Sequence, residues 1–446
     1  MRVSVIGTGH VGLTTAACLA HVGHEVVGVD DDAEKVATIG RGEVPFHEPG
    51  LTDLVREGLD TGRLRVSTDL AEGARHAEVS FVCVGTPTKP NGEANLIQVE
   101  RVATILARNI EGYTVVAEKS TVPVETGQWV RRTMEVEAPA GAEFDVASTP
   151  EFLREGRAVQ DTLEPDRIVI GASSDRAVER LREVYRPIVD RTGCPVVVTD
   201  LATAELIKHS SNAFLATKIS FVNSIAEICE RTGADVEVVA QAMGLDPRIG
   251  PAFLRAGIGY GGSCFPKDVR AYRYRAEQLG VDFEVLAAVE RVNVARVPAF
   301  VEKIRSVLWN LQGKRVAVWG LAFKPETDDL RDAPAFLVIE RLRAEGAHVV
   351  AHDPVALPAA KHLLPEVSFS DDAYEAARDA QCVAICTEWP EYASVDLERL
   401  RGLMARPVIA DGRNLLHPEA VAAAGFVYAS VGRPTVGQPD RDKKSR

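Results

Sequence analysis

The segment Gly7-Thr8-Gly9-His10-Val11-Gly12 constrains this chain more than any other, because of what flanks it. Arg2 to Ile6 reads as a short buried strand, residues 10 to about 22 as an apolar helix, and Val26 to Val29 as a second strand that ends in Asp30. Strand, G-x-G-x-x-G, helix, strand and acid in that order form the βαβ unit that holds a dinucleotide. Gly7 permits the tight turn, Gly9 lets a pyrophosphate approach the backbone, and Gly12 lets the helix pack closely. The helix N-terminus then faces the phosphates. A carboxylate at Asp30 can accept a hydrogen bond from an adenosine ribose and repels a 2′-phosphate, so the expected cofactor is NAD rather than NADP.

Strand-like runs at residues 79–84, 114–118, 167–170 and 195–198 alternate with helical stretches, the pattern of a doubly wound sheet. From Asp200, placed as an N-cap, to Glu230 the sequence turns helical without Pro or Gly. Ala204, Ile207, Ser211, Leu215, Ile219, Val222 and Ala226 trace one stripe on that helix, and a stripe of this length is expected to bury against a second copy of the chain. After a further helical region the α/β pattern restarts, with strands at residues 313–319, 347–353, 382–386 and 407–410. Gly320-Leu321-Ala322-Phe323-Lys324 follows the first of these but lacks G-x-G-x-x-G, so this second copy is expected to bind something other than NAD. The fold class is therefore α/β, two Rossmann-like doubly wound domains joined by a long central helix and a helical dimerisation domain. The expected division is 1–199 for the NAD-binding domain, 200–297 for the helical domain, 298–431 for the second Rossmann-like domain and 432–446 for a disordered tail.

Composition removes several function classes. With 446 residues, 46% of them hydrophobic and 26% charged, the chain is an ordinary globular sequence with room for two or three domains. A net charge of -13 argues against nucleic acid as a partner. No apolar run reaches the roughly 18 residues of a membrane span, and strand one starts at the N-terminus, so a cytoplasmic location without membrane contact is expected. The seven cysteines are scattered without C-x-x-C spacing, which argues for free thiols and against a metal site.

One of those cysteines has unusual surroundings. Gly259-Tyr260-Gly261-Gly262-Ser263-Cys264-Phe265-Pro266-Lys267-Asp268 places Cys264 after three glycines and before a helix opened by Pro266 and Asp268. A cysteine at a helix N-terminus with a lysine three residues on is disposed toward the nucleophilic thiolate. The glycines are expected to bring backbone N–H groups close to a ligand. A lone cysteine beside a glycine turn is more often a buried structural residue; the neighbouring dinucleotide signature is what favours chemistry.

Further segments lie in order along the chain: Gly85-Thr86-Pro87-Thr88, residues 118–123 (Glu-Lys-Ser-Thr-Val-Pro), 149–156 (Thr-Pro-Glu-Phe-Leu-Arg-Glu-Gly), 165–171, 205–214, Arg248-Ile249-Gly250, 320–325 and Asp411-Gly412-Arg413-Asn414. Together with the cysteine loop they resemble the UDP-glucose/GDP-mannose dehydrogenase family over residues 1 to about 430. Arg248-Ile249-Gly250 and the cysteine loop are most similar to members acting on UDP-glucose. His10 departs from the family, which often has Tyr there.

The resemblance implies an NAD-dependent, four-electron oxidation of the C6 alcohol of UDP-glucose to UDP-glucuronate, with Cys264 carrying first a thiohemiacetal and then a thioester. It implies Glu151 as the base for thioester hydrolysis, Lys208 and Asn212 as donors to the C6 oxygen, Asp268 near a catalytic water, and Thr121 holding water or cofactor. NAD is expected to touch Gly7, Gly9, His10, Val11, Gly12, Asp30, Lys35, Gly85, Thr86, Thr121, Glu155, Lys267 and Arg331. The sugar nucleotide is expected to touch Phe152, Leu153, Glu155, Lys208, Asn212, Arg248, Arg255, Gly257, Gly259, Tyr260, Gly261, Phe323, Lys324 and Arg413. Without the resemblance, Lys208 and Asn212 read as a polar pair sharing one helix face, and each of the cations as a solvated side chain. The alternatives are the same chemistry on GDP-mannose or a UDP-N-acetylhexosamine, a two-electron β-hydroxyacid dehydrogenase, and an inactive NAD-binding scaffold. A homodimer or higher homo-oligomer is implied.

Overall fold

The computed structural model describes residues 1–437; residues 438–446, the end of the expected tail, lie outside the described residues. The chain forms two compact units, Met1–Ser211 with Arg270–Asp282, and Asn212–Val269 with the chain from Phe283 onward.

The first unit is built on eight strands: β1 (Arg2–Ile6), β2 (Glu25–Val29), β3 (Leu64–Ser67), β4 (Val79–Val82), β5 (Thr114–Glu118), β6 (Phe144–Ser148), β7 (Ile168–Ala172) and β8 (Val196–Thr199). Their order is β3-β2-β1-β4-β5-β6-β7-β8. Order reverses between β1 and β4, which pairs Val5 with Gly28 on one side and with Phe81 on the other. Such a switch point opens a crevice at the carboxyl ends of the strands, where Gly7 begins the turn. Val3, Val5, Val79, Phe81, Val115 and Ala117 are fully buried, as central strands covered on both faces require.

Two strands of this sheet escape periodicity. β3, at the sheet edge, carries the exposed Arg65, and β6 carries Asp145, so neither reads as a continuous apolar run. Within this otherwise parallel sheet, β6 and β7 pair antiparallel through Ala147–Ala172 and Ser148–Gly171.

The second unit has six parallel strands, β9 (Arg315–Trp319), β10 (His348–His352), β11 (Ser368–Phe369), β12 (Cys382–Ile385), β13 (Val408–Asp411) and β14 (Val427–Ser430), in the order β11-β10-β9-β12-β13-β14. It repeats the reversal of the first sheet, now between β9 and β12.

The long helix spans Leu201–Thr232, and the Asp200 side chain receives Thr203 N–H at 2.8 Å as an N-cap should. The ends of the small-residue stripe pack within this chain, while Ile207, Ser211, Leu215 and Ile219 are half-buried. Ala204 packs against Gly171 of β7, where an added Cβ would lie 2.4 Å from the alanine Cβ, and Val222 and Ala226 join the core of the second unit. The large apolar residues of this helix that are exposed are Leu206, Phe214, Phe221 and Ile228, at 37%, 66%, 51% and 57% exposure. Small side chains permit close approach of any element, and here the approaching elements belong to the same chain.

Residues 432–437, the described part of the expected tail, are paired with the rest of the second unit. Gly432 N–H donates to Glu230 at 2.8 Å, Arg433 pairs with Asp235, and Val436 bridges back to Tyr428. Backbone pairing anchors this mostly polar stretch, with Val436 packed against the core of the second unit. No helix among the described residues is long and apolar enough to cross a membrane.

Candidate active site

In the first unit, the fingerprint turn is shaped for an anion. Gly7 sits at φ +92°, and a Cβ at Gly12 would lie 1.7 Å from Gly7 O, so that helix and turn touch only because neither residue has a side chain. Gly9 is exposed, and a Cβ there would meet nothing within 4 Å. The helix His10–His21 starts at Gly9 with no side-chain cap and no acid in its first turn, leaving its N-terminal N–H groups for a phosphate. These residues fit a dinucleotide.

Asp30 is 8% exposed and accepts hydrogen bonds from Thr8 N at 2.8 Å, Thr8 Oγ1 at 3.0 Å and Lys35 Nζ at 3.0 Å. Burial works against its ionisation, but the Thr8 and Lys35 donors outweigh it and hold the carboxyl below its usual range. His10 stacks on Phe46 with ring centroids 3.9 Å apart. Two residues further on, Glu48 accepts the N–H groups of Gly156 and Ala158, each at 2.7 Å, and so fastens the stretch that follows Glu155.

Glu151 leaves the carboxyl end of β6 after Thr149 and Pro150. Its Oε1 lies 3.0 Å from Lys208 Nζ, and Oε2 receives Leu153 N–H at 2.5 Å. Both side chains of this ion pair are about nineteen-twentieths buried, at 5% and 6% exposure. Lys208 also lies 5.5 Å from the centre of the Phe152 ring, whose other partner is Arg167. Glu151, Phe152 and Leu153 line a cavity of about 240 Å³ together with Lys119 and Tyr185. Thr121 is half-buried; its carbonyl accepts the Thr86 hydroxyl at 2.9 Å. Gly85 is exposed beside it.

The Glu151–Lys208 pair was invisible in the sequence, where the two residues stand far apart and carry separate roles. Lys119, Glu205 and His209 were missed too. Each falls inside a segment singled out above, yet no local spacing marks it, because their partners come from other strands and helices.

In the second unit, Cys264 directly precedes the helix Phe265–Gln278, and its carbonyl accepts Asp268 N–H at 2.8 Å. The thiol is thus at the N-cap position, half-buried, with Ser263 Oγ 3.6 Å from Sγ. Asp268 is 1% exposed and doubly held, by Asn212 Nδ2 at 2.6 Å and Lys267 Nζ at 2.7 Å. Burial pushes the thiols of Cys18, Cys83, Cys382 and Cys386 up to about 12.

The glycines before Cys264 serve protein packing more than ligand approach. A Cβ on Gly261 would lie 2.2 Å from Asp332 O, and one on Gly257 2.8 Å from Gly412 O. The N–H groups of Gly257, Tyr260 and Gly262 are taken by Asn223, Asn293 and the Arg331 carbonyl, so they do not point to a ligand as expected. Gly259 O is in turn bound by Arg413 Nη1 at 2.9 Å, while Arg413 Nε donates to Cys386 O. Arg413 therefore ties the cysteine loop to the second sheet.

The other expected cations differ in exposure. Arg248 is 87% exposed and chelates its own neighbour Asp246, Arg255 is exposed, and Arg331 pairs with Asp329. Lys324 stands 5.4 Å from the Phe323 ring. At the turn after β9, Asp353 accepts the N–H groups of Leu321 and Ala322 at 2.7 and 3.0 Å.

Comparison with known proteins agrees along the whole chain. Models of the UDP-glucose/GDP-mannose dehydrogenase family match its NAD binding domain at residues 1–189, its central domain at 202–295 and its UDP binding domain at 317–418. The UDP-glucose 6-dehydrogenase TuaD of Bacillus subtilis is 44% identical over 99% of this chain and 95% of its own length. The UDP-glucose 6-dehydrogenase of Pseudomonas aeruginosa is 44% identical over 98% of both. Among solved structures, a UDP-glucose dehydrogenase from the archaeon Pyrobaculum islandicum superposes with a TM-score of 0.91 at 38% identity, covering 97% of this chain and 98% of its own. Carrying all three domain signatures in order, this chain belongs to the UDP-glucose/GDP-mannose dehydrogenase family.

Proposed function

We propose that the chain oxidises the C6 alcohol of UDP-glucose to the carboxylate of UDP-glucuronate, with NAD as the oxidant in two successive steps. The observation that carries this reading is the half-buried Cys264 at a helix N-cap beside a fixed carboxylate, in a chain that also holds an uncapped dinucleotide turn. Gly7, Gly9, Val11 and Gly12 would hold the NAD pyrophosphate and Asp30 its ribose, and the bound cofactor would supply the hydride acceptor for each oxidation.

The remaining chemistry belongs to the protein. As the first hydride leaves C6, the alcohol proton passes to a base and an aldehyde forms. Cys264 Sγ adds to that carbonyl, giving a thiohemiacetal, and loss of a second hydride from C6 leaves a thioester. Water then attacks the thioester carbon, the C–S bond breaks, and the thiolate is regenerated with the sugar carboxylate. Glu151 takes the proton from the water. Lys208 opposes the negative charge that grows on the C6 oxygen in each tetrahedral adduct, and Asn212 donates to the same oxygen. Asp268 orders a water, and Thr121 holds water or cofactor.

The acidic chain gathers Arg248, Arg255 and Lys324 for the diphosphate, while Arg413 supports the loop that carries Cys264. A homodimer through the long helix fits the exposed Phe214, Phe221 and Ile228, seven residues apart on one face, and the adjoining Val238 and Leu245. Free thiols at all seven cysteines suit the reducing cytoplasm. The deciding measurement is stoichiometric: each UDP-glucose should yield two NADH with no free aldehyde accumulating. One NADH per sugar at completion would overturn the reading.

A further inference from the structure

Glu205 and His209 lie one helical turn apart on the long helix, on either side of Lys208 in sequence, and both are almost fully buried at 2% and 3% exposure. Each reaches the same stretch of chain. His209 Nε2 stands 2.8 Å from Val122 O; a carbonyl can only accept, so Nε2 carries the proton. Glu205 Oε2 accepts Glu125 N–H and Oε1 accepts Gly127 N–H, both at 2.7 Å. Those two donors open the helix Thr126–Glu137, where Glu125 holds a left-handed φ of 80° and offers no cap of its own. A carboxylate at that point satisfies orphan N–H groups and meets the positive end of the helix dipole.

The stretch that precedes is pinned from the other side. Ser120 Oγ donates to Val84 O at 2.7 Å, Ser120 N–H to Val82 O at 3.0 Å, and Thr86 Oγ1 to Thr121 O at 2.9 Å. Thr121 thus sits between two anchorages, one on the end of β4 and one on the helix turn that carries Lys208. Apolar side chains in the same volume would strand the backbone groups that Glu205 and His209 serve, and only polar groups can fix the register of a loop backbone.

We propose that Glu205 and His209 are positioning residues for the oxidation, holding Thr121 in register with Lys208. This rests on the roles given to Thr121 and Lys208 above. A displacement of about 1 Å at such a site costs up to about 100-fold in rate.

The test measures kcat, KM for UDP-glucose and NAD, and melting temperature for full-length His209→Leu, His209→Gln, Glu205→Gln, Thr121→Ala and the double variants with Thr121→Ala. His209→Leu should lower kcat by about 10- to 100-fold with each KM changed less than about threefold. His209→Gln, whose amide can still donate to Val122 O, should recover most of that loss. Glu205→Gln places an NH₂ against one of two N–H donors and should lose about tenfold in kcat; it stands in if the leucine variant does not fold. If these residues act through Thr121, adding Thr121→Ala should slow either variant by no more than about twofold beyond the slower single change. Multiplying effects, or failure of glutamine to rescue, would overturn the proposal while leaving the role of Thr121 intact. A Thr121→Ala enzyme with undiminished kcat would remove the role of Thr121 itself and the proposal with it.

Discussion

Lys208 Nζ lies 3.0 Å from Glu151 Oε1 with both side chains almost wholly buried. A buried ion pair gains little over well-packed apolar residues, but losing one partner strands a charge and costs about 3–5 kcal/mol. Lys208→Met should therefore lower stability by about that amount. The double variant Lys208→Met with Glu151→Gln should be more stable than Lys208→Met alone, read by chemical denaturation at constant pH. Equal stability of the two would show that the pair is not energetically coupled.

In the proposed reaction, the roles of Glu151 and Cys264 separate in time. Glu151→Gln should complete both hydride transfers in a single turnover and then stall, leaving a sugar nucleotide attached to Cys264, with steady-state kcat down by about 100-fold or more. Cys264→Ser should lose nearly all turnover and form no thioester, because an alkoxide is far harder to generate than a thiolate near neutral pH. Intact-protein mass after mixing with UDP-glucose and NAD distinguishes the two. Absence of an adduct in an inactive Glu151→Gln enzyme moves that residue to binding or to the first proton transfer.

Asp30 and Lys35 are joined at 3.0 Å where an adenosine ribose would rest. The carboxylate should exclude the 2′-phosphate of NADP, and Asp30→Asn should raise kcat/KM for NADP relative to NAD by at least about tenfold, since Lys35 is then released to meet the phosphate. An unchanged preference would show that Asp30 does not set it.

Glu118 ends β5 with neither carboxyl oxygen hydrogen-bonded among the described residues. Burial, reinforced by the nearby Glu205 carboxyl, raises it from 4.5 to about 8, and burial raises Glu205 to about 7. The native state therefore binds more protons than the unfolded chain between pH 4.5 and about 8, so this pair favours folding below that window and loses its contribution as pH rises through it. Glu118→Gln, neutral throughout, should gain about 1–3 kcal/mol over the native sequence at pH 8.5 compared with pH 5. A gain independent of pH would mean that Glu118 does not titrate in this range.

Phe214 and Phe221 present apolar rings to solvent on one face of the long helix. Replacing both by Glu should shift the protein from dimer to monomer in light scattering and reduce activity at high dilution, because charges at an interface core are strongly disfavoured. A native chain that is monomeric and fully active would remove the dimer from the reading.

What was legible in the sequence was whatever depends on neighbours in the chain. The turn at Gly7 to Gly12, the acid at Asp30, the N-cap at Asp200 and the cysteine before a helix all follow from backbone geometry and short spacing, and the structure has each where local rules put it. Strands β4 and β5 were readable because burial on both faces favours mostly apolar runs, while β3 and β6 were not, since an edge position and a charged aspartate interrupt the run. Tertiary structure alone decided the rest. Whether the small-residue stripe of the long helix faced its own chain or another, whether the glycines near Cys264 served ligand or packing, and which base met Lys208 depend on surfaces distant in sequence. Burial makes such polar meetings decisive, because in a low-dielectric interior each charge and N–H must find a partner, and only the folded chain determines which one is within reach.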